Sequence, residues 1–286
     1  MTSLAEALGC PPDARLLIIT CDDLGVSHAT NSAIYDSLRN GVATSAGLVV
    51  PGPWARQAAA SYRGEDVGAH LTLNAEYDLY RWGPVTHAPS LLDGDGGFPR
   101  TLVDLWEHAD VEEVHRECRA QVERAIYWGF DVSHLSTHLG AMELRPELFD
   151  VALELAGDFR LPLRLAGAVQ QHQVGFPFRQ LAAEAGVLSP DRLVRPPRGH
   201  SARAAIDQVL TELPPGVTEI VLRPARDTEE LRAVIPDWPA RVEDHDIATA
   251  NRYLSSLVGR TGLRLLTYRA LRDLQRGSPG GVGGLE

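Results

Sequence analysis

Residues 15–25 read Arg15-Leu16-Leu17-Ile18-Ile19-Thr20-Cys21-Asp22-Asp23-Leu24-Gly25. The apolar run over 15–21 has strand length and no polar alternation, the pattern of a strand covered on both faces in a parallel sheet. It stops at two adjacent acids and a glycine, a turn signal. In a parallel α/β fold the C-terminal ends of the strands carry the functional side chains. Asp22 and Asp23 therefore sit where one carboxylate can bind a cation and the other can take a proton from water. Helix-capping acids in an ordinary turn account for them as well.

The pattern repeats outward from this segment. A helical stretch over 31–39 closes at Asn40-Gly41, a C-cap signal, and a second strand over 44–50 ends at Pro51-Gly52-Pro53. Helix 54–62 and strand 66–74 follow. Residues 75–110 show little periodicity and read as a large surface loop or lid. Helix 111–128 carries Val114, Cys118, Val122 and Ile126 at four-residue spacing. Strand 133–138, helix 146–156 and a fifth strand over 161–165 come next, then an irregular stretch over 170–201. Helix 204–213, strand 219–223, helix 247–260, strand 264–267 and helix 268–275 complete the order. The chain thus divides into an N-terminal extension (1–14), one domain (15–276) and a flexible tail (277–286). Repeated β-then-α order predicts an α/β fold, a single (β/α) barrel of about seven strands that need not close.

Composition narrows the functional classes. The 286 residues carry 27 basic and 38 acidic side chains, net charge −11, which disfavours nucleic acid or an anionic membrane as partner. All 27 basic residues are arginine, so no lysine is available for Schiff-base or phosphate-loop chemistry. Cys10, Cys21 and Cys118 form no CxxC pair and suggest neither disulfides nor a thiolate zinc site. The opening residues do not resemble a signal peptide, and the expected location is cytoplasmic.

Strand-face alternation supplies further candidates. Gly68, His70, Thr72 and Asn74 share one face of the third strand, and His134, Ser136 and His138 one face of the fourth. Along an extended strand His134 and His138 lie about 13 Å apart, too far for one ion. His138, nearer the C-terminal end, is the better ligand candidate, and His134 reads as a supporting residue. Asp23, His70 and His138 then come from three strand ends, an arrangement suited to a catalytic metal. Tyr77, Tyr80 and Trp82 are candidates for stacking on a substrate ring or, at least equally, for covering the core beneath a long loop. Arg195, Arg198 and Arg241 are candidates for binding an acidic substituent, though such arginines are often surface-paired.

At these residues the chain resembles the YdjC-like (ChbG/HpnK) carbohydrate deacetylases over most of its length. Thr20-Cys21-Asp22-Asp23-Leu24-Gly25 is similar to the family's opening turn, with Asn31 following, and Asn40-Gly41-Val42-Ala43-Thr44-Ser45 to its entry into the second strand. Val67-Gly68-Ala69-His70-Leu71-Thr72-Leu73, Ser90-Leu91-Leu92-Asp93 and Ser133-His134-Leu135-Ser136-Thr137-His138 resemble later family segments. The resemblance implies a barrel-like deacetylase fold and one divalent ion, Mg²⁺ or Zn²⁺, on Asp23, His70 and His138. It also implies removal of N-acetyl groups from amino sugars such as chitooligosaccharides, with Asp22 as the base. Tyr80, Trp82 and His134 are the candidate substrate contacts. The implied partner is a small carbohydrate, with a homodimer allowed.

Two departures stand out. Ser136 replaces a family Asp, and Arg223, in Ile220-Val221-Leu222-Arg223-Pro224, replaces a His. Arginine stays charged and cannot shuttle a proton, but it can stabilise an oxyanion. His200 is a nearby alternative acid. The competing expectation is a catalytically impaired relative that binds a sugar without turnover.

Overall fold

The computed structural model describes residues 3–197, 199–203, 206, 213–249 and 262–277, without the side chains of 168–170. Among the described residues seven parallel strands form one curled sheet, a half-barrel with helices around it, which is the (β/α) barrel-like architecture the sequence predicts. They are β1 (Arg15–Leu24), β2 (Ser45–Leu48), β3 (Val67–Leu71), β4 (Val132–Thr137), β5 (Arg192–Val194), β6 (Gly216–Leu222) and β7 (Arg264–Leu265). Their spatial order is β4-β3-β2-β1-β6-β5, with β7 beside the first half of β1 and β2 beside its second half.

β1 is buried along its whole length after Arg15, as its apolar run requires. The N-terminal end of the half-barrel is plugged by Leu16, Ile18 and Val217, packed with Ala5 and Leu8 from the start of the chain and with Tyr268 and Leu271 of helix Tyr268–Gln275. The opposite end, where the strands finish, is left to polar side chains. Among the described residues no helix is long and apolar enough to cross a membrane.

Several elements differ from the sequence expectation. Residues 161–165 make one bridge, Leu163 to Leu135, rather than a strand; Pro162 has no N–H to extend the ladder. The stretch expected to be irregular, 170–201, contains helices Ala168–Val174 and Phe178–Glu184 and strand β5. The presumed lid, 75–110, holds a 3-10 turn, Pro89–Leu91, and helix Leu102–His108. In helix Val111–Tyr127 the buried stripe runs Val114, Cys118, Val122, Ala125, leaving Ile126 exposed. Four-residue steps drift about 40° each around a helix, so the third step leaves the core side. Helix Trp238–Thr249 begins well before residue 247. Most of the expected helix at 204–213, residues 250–261 and the tail from 278 lie outside the described residues.

Candidate metal centre

Adjacent residues in a regular strand point to opposite faces, yet Asp22 and Asp23 both line the same cleft. The register explains this. Cys21 pairs with Ala46 and Leu24 with Leu48, so β1 spends three residues against two of β2, a β-bulge. At the bulge Asp23 takes the left-handed conformation, φ 74°, which Asp tolerates better than most residues. The turn beyond is held by Asn31, whose Oδ1 accepts from the Gly25 amide at 2.6 Å.

Two strand glycines make the room beneath. Gly47 and Gly68 are register partners on β2 and β3. A Cβ on Gly47 would lie 2.9 Å from Asp22 Oδ1, and one on Gly68 would lie 2.4 Å from the His134 ring.

His70 of β3 and His138, just past β4, meet edge to face above these acids. His70 Nε2 and His138 Nδ1 face each other at 3.3 Å. The outward nitrogens are already engaged: His70 Nδ1 with Ser136 Oγ at 2.7 Å, and His138 Nε2 with Glu76 Oε2 at 2.9 Å. A carboxylate only accepts, so Glu76 places a proton on His138 Nε2 and leaves Nδ1 facing inward as a lone pair. Asp23 Oδ1 stands 3.8 Å from His138 Nδ1, and Asp22 Oδ2 3.9 Å from His70 Nε2. Ligand atoms of Asp23, His70 and His138 all lie within 4.8 Å of one another. Ser136 is therefore a partner of His70, with a neutral hydroxyl in the position of a carboxylate.

Each acid has its own buried cation. Arg164 Nη1 donates to Asp22 Oδ1 and Oδ2 at 2.9 and 2.8 Å, while its Nε donates to Glu219 Oε1 at 2.8 Å. The Tyr268 hydroxyl donates to the other Glu219 oxygen at 2.5 Å, and its ring stacks on His134. Arg241 donates to Asp23 Oδ2 at 2.7 Å, to Asp237 at 2.9 Å and to the Tyr77 hydroxyl at 2.7 Å.

The charges follow from this wiring. Burial pushes both aspartates toward protonation, but Arg164 for Asp22 and Arg241 for Asp23, each aided by neighbouring histidines, outweigh it and hold both below the usual carboxylate range. Burial lowers His70 to about 4. Burial acts the same way on His138, but Glu76, Asp23 and Asp22 together raise it above the ordinary histidine value. Positive charge is thus favoured on His138 and disfavoured on His70, whose ring stays neutral.

The remaining sequence candidates fall in different places. Arg223 lines the cleft, and its Nη1 lies 3.6 Å from Asp237 Oδ2. His134 is fully buried below the cleft and cannot touch a substrate. Trp82 is buried with its Nε1 donating to Asn74 O at 3.0 Å, and the Tyr80 hydroxyl donates to Val26 O at 2.7 Å; neither ring lines the cleft. His200 is exposed and is not among the cleft-lining residues. Of the arginines considered for an acidic substituent, Arg241 is committed to Asp23, Arg195 lines the cleft, and Arg198 lies outside the described residues.

Sequence reading missed Glu76, Arg164 and Glu219 as parts of the site. Arg164 had a visible signal: a lone charge within the apolar run Leu161-Pro162-Leu163-Arg164-Leu165. The cleft they support has a volume of about 500 Å³.

Comparison with known proteins matches residues 16–257 to the family of YdjC-like proteins. A carbohydrate deacetylase of Thermus thermophilus is 36% identical over 277 residues, spanning 94% of this chain and 98% of that protein. One of Geobacillus stearothermophilus is 28% identical, covering 91% and 99%. A crystal structure from Enterococcus faecalis V583, described as a proposed cellobiose-phosphate cleavage protein, superposes with a TM-score of 0.78 at 26% identity, covering 90% of this chain and 99% of that one.

Proposed function

Since the chain belongs to the YdjC-like family, we propose that it is a divalent-metal-dependent carbohydrate deacetylase that hydrolyses the N-acetyl group of an amino sugar or chitooligosaccharide-like substrate. The observation that carries this reading is the inward-facing pair His70 Nε2 and His138 Nδ1, 3.3 Å apart with their outer nitrogens occupied. Two imidazoles and a carboxylate fit a divalent cation; the donor types suit Zn²⁺ and admit Mg²⁺. When bound, such an ion polarises an amide carbonyl and makes water a better nucleophile near neutral pH.

The protein's own groups divide the remaining work. Asp22, kept ionised by Arg164, accepts the proton that water loses on attacking the acetyl carbon. Asp23 is spared protonation by Arg241 and remains a ligand. Arg223, on the cleft wall, offers a fixed charge to the developing oxyanion but no proton. Asp22, once protonated, is the cleft group placed to pass that proton to the departing nitrogen, giving acetate and a free amine.

Acetate release from a panel of N-acetylated amino sugars, by protein of measured metal content, tests the reading. Asp22→Asn is expected to keep the ion and lose roughly 10² or more in turnover. Metal-replete protein that releases no acetate from any of them, or an Asp22→Asn variant of undiminished turnover, would overturn it.

A further inference from the structure

The support beneath Asp22 does not end at Glu219. Glu219 is fully buried, and its Oε1 stands 2.8 Å from Arg164 Nε and 2.7 Å from Arg164 Nη2. Its other oxygen, Oε2, accepts the Tyr268 hydroxyl at 2.5 Å, and among the described residues no other hydrogen bond reaches it. Burial and the Glu219 charge push the Tyr268 hydroxyl well above its ordinary pKa, so it remains a donor. The order Tyr268–Glu219–Arg164–Asp22 thus joins the first residue of helix Tyr268–Gln275 to the proposed base through side chains that are all buried.

The Tyr268 ring is not free to carry its hydroxyl elsewhere. It lies 3.8 Å from the His134 ring and nearly parallel to it, at 13°. That imidazole is itself packed on Gly68, where a Cβ would come within 2.4 Å. His134 Nδ1 and Ser133 Oγ are 2.9 Å apart, and Ser133 Oγ donates to Asp66 Oδ1 at 2.6 Å. Asp66 Oδ2 in turn accepts the Arg269 amide at 2.8 Å, which closes the circuit on the residue after Tyr268. Phenylalanine would fill the same space and keep the stack; it would lack only the donor given to Glu219. A buried carboxylate deprived of one donor draws harder on the cation that remains. Arg164 is shared, so what Glu219 gains of it Asp22 loses.

We propose that Tyr268 is a positioning residue for the base: its hydroxyl fixes Glu219, Glu219 fixes the Arg164 guanidinium, and the guanidinium fixes the orientation of the Asp22 carboxylate. This deepens the deacetylase reading and rests on its assignment of Asp22. It makes the first turn of helix Tyr268–Gln275, at the plugged end of the half-barrel, part of the machinery at the open end.

The test compares wild type, Tyr268→Phe, Asp22→Asn and the double variant, each metal-loaded and assayed by acetate release from N-acetylated amino sugars. Tyr268→Phe is expected to lose about tenfold or more in kcat, the scale of a slightly misplaced reacting group, with KM and metal content unchanged. In the Asp22→Asn background the same substitution should cost nothing further, because residues that act as one unit are not additive. A merely structural role would cost the same factor in both backgrounds. That result, or a Tyr268→Phe enzyme of wild-type kcat, would overturn the proposal.

A measurement without turnover separates this from the deacetylase reading. In zinc-loaded protein with isotope-labelled aspartate, the Asp22 carboxyl resonance, identified by its absence in Asp22→Asn, reports the surroundings of that carboxylate at fixed pH. It is expected to move in Tyr268→Phe. A resonance left in place overturns the coupling while the acetate assay of wild type decides the deacetylase reading by itself. A moved resonance in a protein that releases no acetate supports the coupling and removes the deacetylase reading.

Discussion

A single guanidinium nitrogen of Arg164 reaches both carboxylate oxygens of Asp22, 142 residues away in sequence, at 2.9 and 2.8 Å. Its Nε is anchored on Glu219. Asp22, the proposed base, is therefore oriented from below by a buried ion pair, and its protonation state is tied to a residue that cannot touch substrate.

Removing that support has a defined sign. Arg164→Met leaves burial as the largest influence on Asp22, so its pKa rises, and the acid limb of the kcat/KM profile moves to higher pH. Breaking a buried pair costs about 3–5 kcal/mol in stability. Glu219→Gln, which keeps Arg164 but loosens its anchor, is the milder companion and should lower activity with a smaller shift of the limb. Profiles superimposable on wild type in both variants would separate Arg164 from the chemistry.

Metal content is expected to depend on the two imidazoles. His70→Ala and His138→Ala are each expected to lose the ion from the purified protein, whereas Glu76→Gln should retain it with affinity weakened by roughly 10- to 100-fold. Elemental analysis and competition with a chelator measure both; full occupancy in the two alanine variants would reject the ligand assignment.

An ion held by the two histidines would also compete with protons, and the two rings differ in this respect. His138 is raised above the ordinary value, so it is protonated at mildly acidic pH and must lose that proton to bind. His70, lowered to about 4, is already neutral there. Apparent affinity should therefore fall about tenfold per pH unit on the acid side of the His138 transition, the signature of one proton displaced. A hundredfold slope between about pH 5 and 6.5 would show that both rings are protonated together.

Arg223→His places a titrating group where the chain has a permanent charge. The variant should gain N-deacetylase activity and acquire a descending alkaline limb near the unperturbed histidine pKa of about 6.5 or somewhat above. An unaltered pH–rate profile would show that the side chain at 223 does not take part in proton transfer.

Much of this arrangement was legible in the sequence because it is local. The apolar run of β1 announces a buried parallel strand, and the acids that end it announce its functional end. The alternation of Gly68, His70 and Thr72 marks a polar lumen face on β3. What escaped was non-local. Glu76 follows β3 in a segment without periodicity, and nothing nearby shows that it will meet His138. Glu219 looks like a surface acid beside Arg223, yet it is fully buried because Arg164 reaches it from a segment on the far side of β4, a pairing the sequence does not show. The bulge at Asp23 was equally hidden: strand alternation alone would send the two acids to opposite faces.

Gly47 and Gly68 bear on how such a site is lost over generations. Any single-base change in a glycine codon that alters the amino acid adds atoms, and here the space for them is already filled by Asp22 and the His134 ring. Inactivation by accretion is therefore as accessible to drift as deletion of a ligand. A descendant silenced this way would keep its aspartates and histidines in place. Judging activity among relatives by those residues alone would count it as competent, whereas the two empty positions opposite each other on β2 and β3 would reveal the difference.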